Sequence, residues 1–326
     1  MVQNISGRRA GWLLAILIGS ITITPAFAEE GGGSHYLPGS LGDFAMALIG
    51  PPGFYFRNDT YYIDGSINGV TLGNRIYTSA KQQVWVDTLK GIYMTKAHVF
   101  GGRLVTAISL PIVLNAHVSG DVAHPIAGSV EGNRTGLADV TLTAFLNWTD
   151  GNSHYSAGLN EYAPAGFYSA SQVVNTGRNY WSTVPTFSYT YLNPKKGHEL
   201  SFTSGVLFNS TNGATDYHTG TEFYTDFMLS QHFSAEFAVG LEGYTLRQLT
   251  ADSGPLLNQA NFVLQHLGLN TLGGFEAYGF GLGPAVLWAP KLHGKPINFI
   301  FKCLPDIVHN NRFNSVTSSV SVAFKI

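Results

Sequence analysis

Apolar and polar residues alternate along much of the chain, and the stretch GLADVTLTAFLNWTD at residues 136–150 shows the pattern clearly. As a strand, it would carry on one face Ala138, Val140, Leu142, Ala144, Leu146 and Trp148, and on the other Asp139, Thr141, Thr143 and Asn147, with Phe145 as the exception. A period of two predicts a β-strand with one apolar and one polar surface. The pattern exceeds the about 5–6 residues of an ordinary strand and matches the roughly 9–11 residues that cross a bilayer at a tilt.

Similar alternation recurs throughout the chain and predicts about twelve strands. They are expected to begin near residues 53, 82, 101, 137, 153, 179, 198, 221, 235, 274, 296 and 314. The connections are predicted to be long around 65–81, 115–136, 166–178, 209–220 and 251–273, and short around 95–100, 149–152, 193–197, 233–235 and 290–295. Short turns at one end and long loops at the other are typical of a bacterial outer-membrane barrel.

The predicted fold class is therefore all-β, a transmembrane antiparallel β-barrel. A soluble β-sandwich also alternates, but its outward face would be rich in Lys and Glu. Charged residues are only 12% of this 326-residue chain, about half the share usual in soluble domains, and 38 residues are glycine. The formal net charge of −2 gives no electrostatic reason to expect nucleic acid as a partner. A single cysteine excludes a disulfide framework within the chain.

The first 28 residues have the features of a cleaved signal peptide. Arg8 and Arg9 precede the apolar run at residues 11–23, and Ala26 and Ala28 supply the small residues of a cleavage site. A retained signal anchor is the alternative. The predicted organisation is a signal peptide at 1–28, an amino-terminal segment at 29–52 and a barrel at 53–326, exported to the outer membrane of a Gram-negative cell.

An apolar stretch just before the first predicted strand, YLPGSLGDFAMALIGPPGFYF at 36–56, predicts a short helix over residues 40–50. Gly50, Pro51 and Pro52 would end it. About nine residues at ~1.5 Å each reach roughly 14 Å, too short to span a bilayer. The element is expected either to plug the barrel or to lie flat at the membrane interface; a disordered lead-in is the third reading.

Several segments carry a resemblance to a known family. The stretches at 34–65, 136–148, 214–254 and 281–288 resemble the outer-membrane family named for the meta-pathway of phenol degradation. The resemblance implies an outer-membrane barrel with a role in uptake. It is distantly similar to the fatty-acid and toluene transporters, which have a larger barrel and an amino-terminal hatch.

If the apolar face of each strand is outward, the polar face lines a lumen. Candidate residues of a substrate path, from the opening element and from these inward faces, are Phe44, Phe54, Tyr55, Arg57, Asp59, Tyr61, Tyr62, Asp139, Glu222, Asp226 and Glu242. The alternative is that such charges only satisfy one another across the wall. The glycines at 279, 281 and 283 are expected to leave room for an inserted segment.

Enzymatic motifs are weak in this chain. There is no G-x-S-x-G and no H-E-x-x-H, so no catalytic residue, metal or other cofactor is predicted. The predicted function is passive uptake of small hydrophobic or aromatic compounds across the outer membrane. The alternatives are a nonselective porin, or a structural or adhesive barrel whose long loops bind a ligand outside. Expected partners are outer-membrane lipid, lipopolysaccharide, the barrel-assembly machinery and small hydrophobic solutes.

Overall fold

The computed structural model describes residues 33–68, 70–72, 75–124, 127–266 and 273–326. The predicted signal peptide lies outside these ranges and stays a prediction. Twelve antiparallel strands form the wall in the described part of the chain: β1 (Gly53–Ile67), β3 (Arg75–Val99), β4 (Gly102–His124), β6 (Val140–Asp150), β7 (Ser153–Ala163), β8 (Ser182–Asn193), β9 (His198–Asn209), β10 (Glu222–His232), β11 (Phe237–Gln248), β12 (Tyr278–Trp288), β14 (Lys295–Asn310) and β15 (Asn314–Lys325).

Pairing between the first and last strands closes the wall into a barrel. β1 pairs with β15 from Tyr55 opposite Lys325 to Ser66 opposite Asn314, and every other wall strand pairs with its neighbours in chain order. Three shorter strands extend the sheet: β2 (Val70–Leu72), β5 (Gly128–Leu137) and β13 (Lys291–Leu292). The predicted fold class and the count of twelve strands are confirmed.

The wall has two different rims. At the turn rim, residues 100–101, 151–152 and 194–197 connect successive strands, whereas at the loop rim residues 164–181, 210–221 and 249–277 do so. The last of these connections contains α1 (Pro255–His266). Within the described ranges, no helix is long and apolar enough to cross a membrane.

Two predicted loops are instead extensions of strands. β3 has 25 residues and β4 has 23, so both continue past the loop rim through much of the stretches predicted as loops near 65–81 and 115–136. β5 pairs with β4 along this extension, from Ile112 opposite Leu137 to Val122 opposite Gly128. Pairing between these strands satisfies the backbone of polar sequences whose composition alone favours loops.

The two faces of the wall differ as predicted. Leu229 and Leu241 face each other in register on β10 and β11, and both are exposed on the outer face. Their neighbours Met228 and Glu242, also in register, are buried on the inner face. Phe145, the exception in the alternation of β6, lies opposite Gly158, where a Cβ atom would come within 2.4 Å of the Cβ of Phe145.

The predicted helix over residues 40–50 is wrong. The amino-terminal segment, residues 33–52, turns sharply in two places, with hydrogen bonds from the Ser40 amide to Leu37 O and from the Leu48 amide to Ala45 O. Ala45 has a φ of 52°, which breaks any helix there. Side chains of the wall bind the amides and carbonyls of this segment, and these bonds replace the i→i−4 bonds of a helix.

Candidate functional site: the occupied lumen

Asp226 on β10 contacts the amino-terminal segment deep in the lumen. Its carboxylate accepts hydrogen bonds from the main-chain amides of Leu41 at 3.0 Å and Gly39 at 3.3 Å. The Tyr36 hydroxyl also donates to Asp226, and the Tyr36 ring stacks on Tyr224 with 4.2 Å between centroids. Because Asp226 is fully buried, these donors replace the water that the carboxylate loses.

Lys302 on β14 binds the same part of the segment through carbonyl oxygens. Its Nζ donates to Gly39 O at 2.6 Å, to Gly42 O at 2.7 Å and to Glu242 Oε1 at 3.1 Å. All three donors of the ammonium group are therefore used inside the barrel. The wall thus recognises the backbone of the segment with both a cation and carboxylates.

Glu199 on β9 holds the segment nearer the turn rim. Its Oε1 accepts from the Ala45 amide at 2.5 Å, and its Oε2 lies 2.6 Å from His232 Nε2 and accepts from Ser230 Oγ at 2.7 Å. At the other end, Glu222 Oε2 accepts from Ser34 Oγ at 2.6 Å. β9 begins at the turn rim and β10 at the loop rim, so the segment climbs the lumen from Gly53 toward the loop rim.

A second group of charges joins the segment to β1 and β3. Arg57 forms ion pairs with Asp43 of the segment and, at 2.7 Å, with Asp59. Lys90 on β3 lies 2.8 Å from the other oxygen of Asp59. Two cations and two carboxylates balance, so this group stabilises the buried charges without a net charge.

His35 fixes the segment near the loop rim. Its Nε2 lies 2.9 Å from Asp139 Oδ2 and its Nδ1 lies 2.7 Å from Ser182 Oγ, while its ring stacks on Tyr162 with 5.0 Å between centroids. Burial lowers the pKa of His35 below its ordinary value of 6.5, although the hydrogen bond with Asp139 opposes this shift.

Asp139, in the connection between β5 and β6, has the complementary environment. Burial opposes its ionisation, but hydrogen bonds from His35 and from the amides of Gly166 and Arg178 outweigh burial and lower its pKa below 3.8. The contact between His35 and Asp139 is therefore a hydrogen bond at neutral pH, with a carboxylate as the acceptor.

Ser182, His35 and Asp139 contact one another in the order of a catalytic triad. They lack an accessible nucleophile. Ser182 has no exposed surface, and its Oγ lies 2.6 Å from Asn209 Oδ1 as well as 2.7 Å from His35 Nδ1. A nucleophile must reach its substrate, so this arrangement positions the segment. In the described ranges, no group of three His, Cys, Asp or Glu residues is placed to hold a metal ion.

A cavity of about 510 Å³ remains between the segment and the wall formed by β1, β3, β4 and β6. Apolar side chains dominate one side of it, among them Ile63, Val84, Val86, Ile92, Val113 and Val118. Residues 33–38 and 40–41 of the segment form the opposite side, together with Tyr162 and Tyr180. The lumen therefore has a charged half that binds the segment and a second half that stays open. We call the second the apolar half because most of its wall residues are apolar, although Lys90, Asp139, Arg178, Asp306 and Arg312 also line it.

The structure places most of the predicted path residues in the lumen. Facing inward are Phe44, Tyr55, Arg57, Asp59, Tyr61, Glu222, Asp226 and Glu242, and Asp139 lies at the loop rim. Two of them, Tyr61 and Asp139, line the cavity, and the charged ones mainly bind the segment or its partners. A path role for these residues stays a prediction.

Phe54 and Tyr62 do not face the lumen. Phe54 is 60% exposed and stacks on Tyr93, and Tyr62 packs against Trp85, all on the outer face. Both occupy even positions of β1, whereas its inward residues are odd-numbered, so the alternation of the strand excludes them from the lumen.

Two of the inward glycines of β12, Gly279 and Gly281, leave room for a tyrosine, and the expectation that they receive the inserted segment is wrong for these two positions. A Cβ atom at Gly281 would lie 2.5 Å from the Tyr244 ring, and one at Gly279 would lie 3.1 Å from its hydroxyl. Glycines of the segment itself fit it against the wall: a Cβ atom at Gly42 would lie 2.2 Å from Glu242 Oε1, and one at Gly39 would lie 2.6 Å from Leu304 Cδ2.

Sequence reasoning missed the residues that define the cavity and the rim contact: His35, Ser182, Val84, Val86 and Val113. The valines belong to the inward face of β3 and β4, which the alternation assigns to polar residues. A signal was present, because these two strands carry apolar residues on both faces over residues 84–92 and 105–113.

Fold and lumen together define a twelve-stranded barrel of the outer-membrane type whose own amino-terminal segment occupies part of the lumen. Comparison with known sequences agrees with this class. The chain belongs to the family described as "Putative MetA-pathway of phenol degradation", whose model matches residues 66–302. No curated protein sequence matches the chain.

Three solved structures of outer-membrane proteins resemble the chain to different degrees, and one of them has the same fold. The COG4313 outer membrane channel from Pseudomonas putida F1 superposes with a TM-score of 0.66 at 14% identity, covering 87% of this chain and 99% of that one. The translocator domain of the autotransporter NalP from Neisseria meningitidis gives 0.43 at 11% identity, covering 86% and 91%. A FadL homologue from Pseudomonas aeruginosa gives 0.40 at 9% identity, covering 93% and 99%.

Proposed function

We propose that the protein is an outer-membrane channel for passive uptake of small hydrophobic or aromatic compounds. The observation that carries the proposal is the cavity with an apolar wall between the amino-terminal segment and strands β1, β3, β4 and β6. In this proposal the turn rim faces the periplasm and the loop rim faces outward, as in other outer-membrane barrels. Lipid and lipopolysaccharide surround the outer face, and the barrel-assembly machinery inserts the chain.

The chemistry of the cavity supports an apolar solute. Apolar wall residues such as Val86 and Val113 offer dispersion contacts and no hydrogen bonds. An apolar cavity of about 150 Å³ suffices to hold benzene, so about 510 Å³ leaves room for one or two rings. A nonselective porin would instead present a wide polar lumen.

The amino-terminal segment supports a narrow passage. It occupies the charged half of the lumen, where it binds Asp226, Glu199 and Lys302. A polar solute would compete with these bonds, whereas an apolar solute would not. The segment therefore acts in this proposal as a plug that leaves only the apolar half for passage.

The proposal is tested by uptake in Gram-negative cells with and without the gene, using labelled toluene and a labelled sugar. The gene is expected to raise the entry of toluene and leave that of the sugar unchanged. Val113→Trp, which fills the cavity, is expected to abolish the increase. Ile112→Trp, on the outer face of the same strand, is the control. Faster sugar entry with unchanged toluene entry would refute the proposal and favour a nonselective porin.

A further inference from the structure

A polar cluster lies on the outer face of the barrel wall. Asn58 and Thr60 occupy outward positions of β1, because the inward residues of that strand are odd-numbered, and Asp87 on β3 lies opposite Thr60 in register. Asp87 Oδ1 accepts hydrogen bonds from Asn58 Nδ2 and from Thr60 Oγ1, each at 2.8 Å. The three side chains therefore form one connected group on the face that is otherwise apolar.

The cluster lies between the aromatic residues that flank the apolar band. On the outer face, Phe54 stacks on Tyr93 on the turn-rim side, and Tyr62 packs against Trp85 on the loop-rim side. At about 3.4 Å per residue β1 covers ~27 Å from Phe54 to Tyr62, and a tilt of about 40° makes this ~21 Å along the membrane normal. An apolar band is about 25 Å tall, and Asn58 lies halfway between the two rings, so the cluster faces lipid tails.

Two of these side chains have hydrogen-bonding groups that are not used within the chain. Among the residues that the structure describes, none bonds to Asp87 Oδ2, although Asp87 Oδ1 accepts two hydrogen bonds. The Asn58 amide donates one of its two N–H groups to Asp87 and has a second one. Lipid tails offer no donors or acceptors, so polar groups facing them lower the stability of a barrel. A protein surface with matching groups would remove this cost.

The surface around the cluster is aliphatic and without large rings. Val322 and Val320 on β15 lie in register with Asn58 and Thr60, and Leu89 on β3 lies opposite Asn58. The opposite side of the barrel presents larger side chains on its outer face, namely Phe187, Phe202 and Phe227. Between membrane-embedded helices, small side chains permit close approach and polar ones add hydrogen bonds. The same physics favours this side of the barrel as a contact surface.

We infer that the outer surface centred on Asn58, Thr60 and Asp87 is the contact between two copies of the chain in the membrane. Its donors and acceptors are self-complementary. Across a two-fold axis, the second N–H of Asn58 in one copy donates to Asp87 Oδ2 of the other copy, and the reverse contact forms at the same time. The inference concerns association of the barrel and not its solute, so it goes beyond the proposed function.

The test measures association of the purified full-length barrel in lipid vesicles. Copies labelled at Lys195→Cys in a Cys303→Ser background are mixed, and energy transfer between donor and acceptor dyes is recorded over a range of protein-to-lipid ratios. The barrel without further substitution is expected to form dimers. Asp87→Leu removes the acceptor of both contacts, so its dissociation constant should rise about tenfold, as for two polar contacts of the strength usual in membranes.

Asp64→Leu is the matched control. Asp64 is an exposed, outward residue of the same strand, but it lies beyond Tyr62 toward the loop rim and outside the cluster. This variant makes the same chemical change and is expected to dimerise as strongly as the barrel that retains Asp64.

Disulfide cross-linking in cell membranes gives a second readout that leaves Asp87 unchanged. In the Cys303→Ser background, Leu89→Cys lies beside the cluster and should give a product of twice the mass of the chain on oxidation. Leu229→Cys, exposed on the outer face of β10 across the barrel, should remain a single chain.

Three results would overturn the inference: monomers at every protein-to-lipid ratio, equal association with and without Asp87→Leu, or equal cross-linking at both cysteine positions. A cross-link from Leu89→Cys to a different protein would also overturn it, because the surface would then belong to another partner. All of these results would leave the uptake of toluene, and with it the proposed function, unaffected.

Discussion

Lys302 donates a hydrogen bond to the main-chain carbonyl oxygen of Gly39 over 2.6 Å, and this contact joins the barrel wall to the amino-terminal segment inside the barrel. A second bond reaches Gly42 O at 2.7 Å. The ammonium group is buried and lies 3.1 Å from Glu242 Oε1. One cation therefore both neutralises a buried carboxylate of the wall and holds two carbonyl groups of the amino-terminal segment.

Replacing Lys302 by Met is expected to destabilise the barrel and loosen the segment. Removing one partner of a buried ion pair leaves the other charge uncompensated, which typically costs about 3–5 kcal/mol. The free energy of unfolding in lipid vesicles should fall by about that amount, and channel conductance in planar bilayers should rise. Lys195→Met, at an exposed position of a turn, is the control. Equal stability and conductance in both variants would contradict this role of Lys302.

A single methyl group at Gly42 is expected to displace the segment. A Cβ atom there would lie 2.2 Å from Glu242 Oε1 and 3.2 Å from the Cβ of Asp226. Gly42→Ala therefore forces the amino-terminal segment away from the barrel wall. The expected result is faster proteolytic cleavage within residues 33–52 and a higher open probability in planar bilayers. Gly128→Ala is the matched control, because nothing lies within 4 Å of a Cβ atom at that position. Identical cleavage of the two variants would show that the segment does not depend on this close contact.

Acid is expected to weaken the contact of His35 at the loop rim. Burial lowers the pKa of His35 from 6.5, so the folded protein binds its proton less readily than the unfolded chain does. The stability contributed by neutral His35 is complete above pH 6.5 and is lost as the pH falls from there toward the lowered pKa. Asp139 acts in the same direction at lower pH, because its pKa is also lowered and its contribution is lost as it protonates.

The measurement is the rate of proteolysis of the amino-terminal segment between pH 7.5 and pH 5. The rate should rise on acidification in the unmodified protein. In His35→Gln, which cannot titrate, the part of the rise that begins near pH 6.5 should be absent. The groups facing His35 are Asp139, Arg178, Tyr162 and Tyr180. An unaltered pH profile in His35→Gln would assign the effect to another group.

A charge on the outer face is expected to destabilise the barrel according to its depth. Leu241 lies in the middle of β11, and Leu249 lies just beyond the end of that strand at the loop rim. Leu241→Arg should lower the free energy of unfolding in lipid vesicles by about 2–4 kcal/mol, and Leu249→Arg by about 0–1 kcal/mol. Urea titration measures both. A similar loss at the two positions would mean that the apolar band of the barrel lies elsewhere.

The barrel was largely predictable from the sequence, because its two faces meet two different solvents. Strands predicted to begin near 53, 153, 198 and 314 begin at Gly53, Ser153, His198 and Asn314. The extension of β3 and β4 was not predicted, since polar residues that pair only with each other give no apolar signal. Alternation of apolar and polar residues reveals a strand only where its two faces differ in polarity. Where both faces are polar, the pattern does not show where the strand ends.

The lumen was predictable only in part. The inward charges Arg57, Asp59 and Asp226 followed from alternation, but their partners did not, because Asp43, Lys90 and Tyr36 are brought to them by the fold. The spacing of its apolar residues predicts a helix in the segment. Instead, Asp226, Glu199 and Lys302 form hydrogen bonds with its backbone amide and carbonyl groups. Such a competition depends on side chains more than 150 positions away in the chain, as with Ala45 and Glu199 at a separation of 154.

The seam between β1 and β15 has a consequence for how the molecule assembles. β1 follows directly from the segment that lies inside the barrel, and β15 is the last strand in the chain. The sheet can therefore join its two edges only after translation of the last strand is complete, with residues 33–52 enclosed at that moment or threaded in later. The slow, long-range pairing of β1 with β15 therefore decides when the interior is sealed.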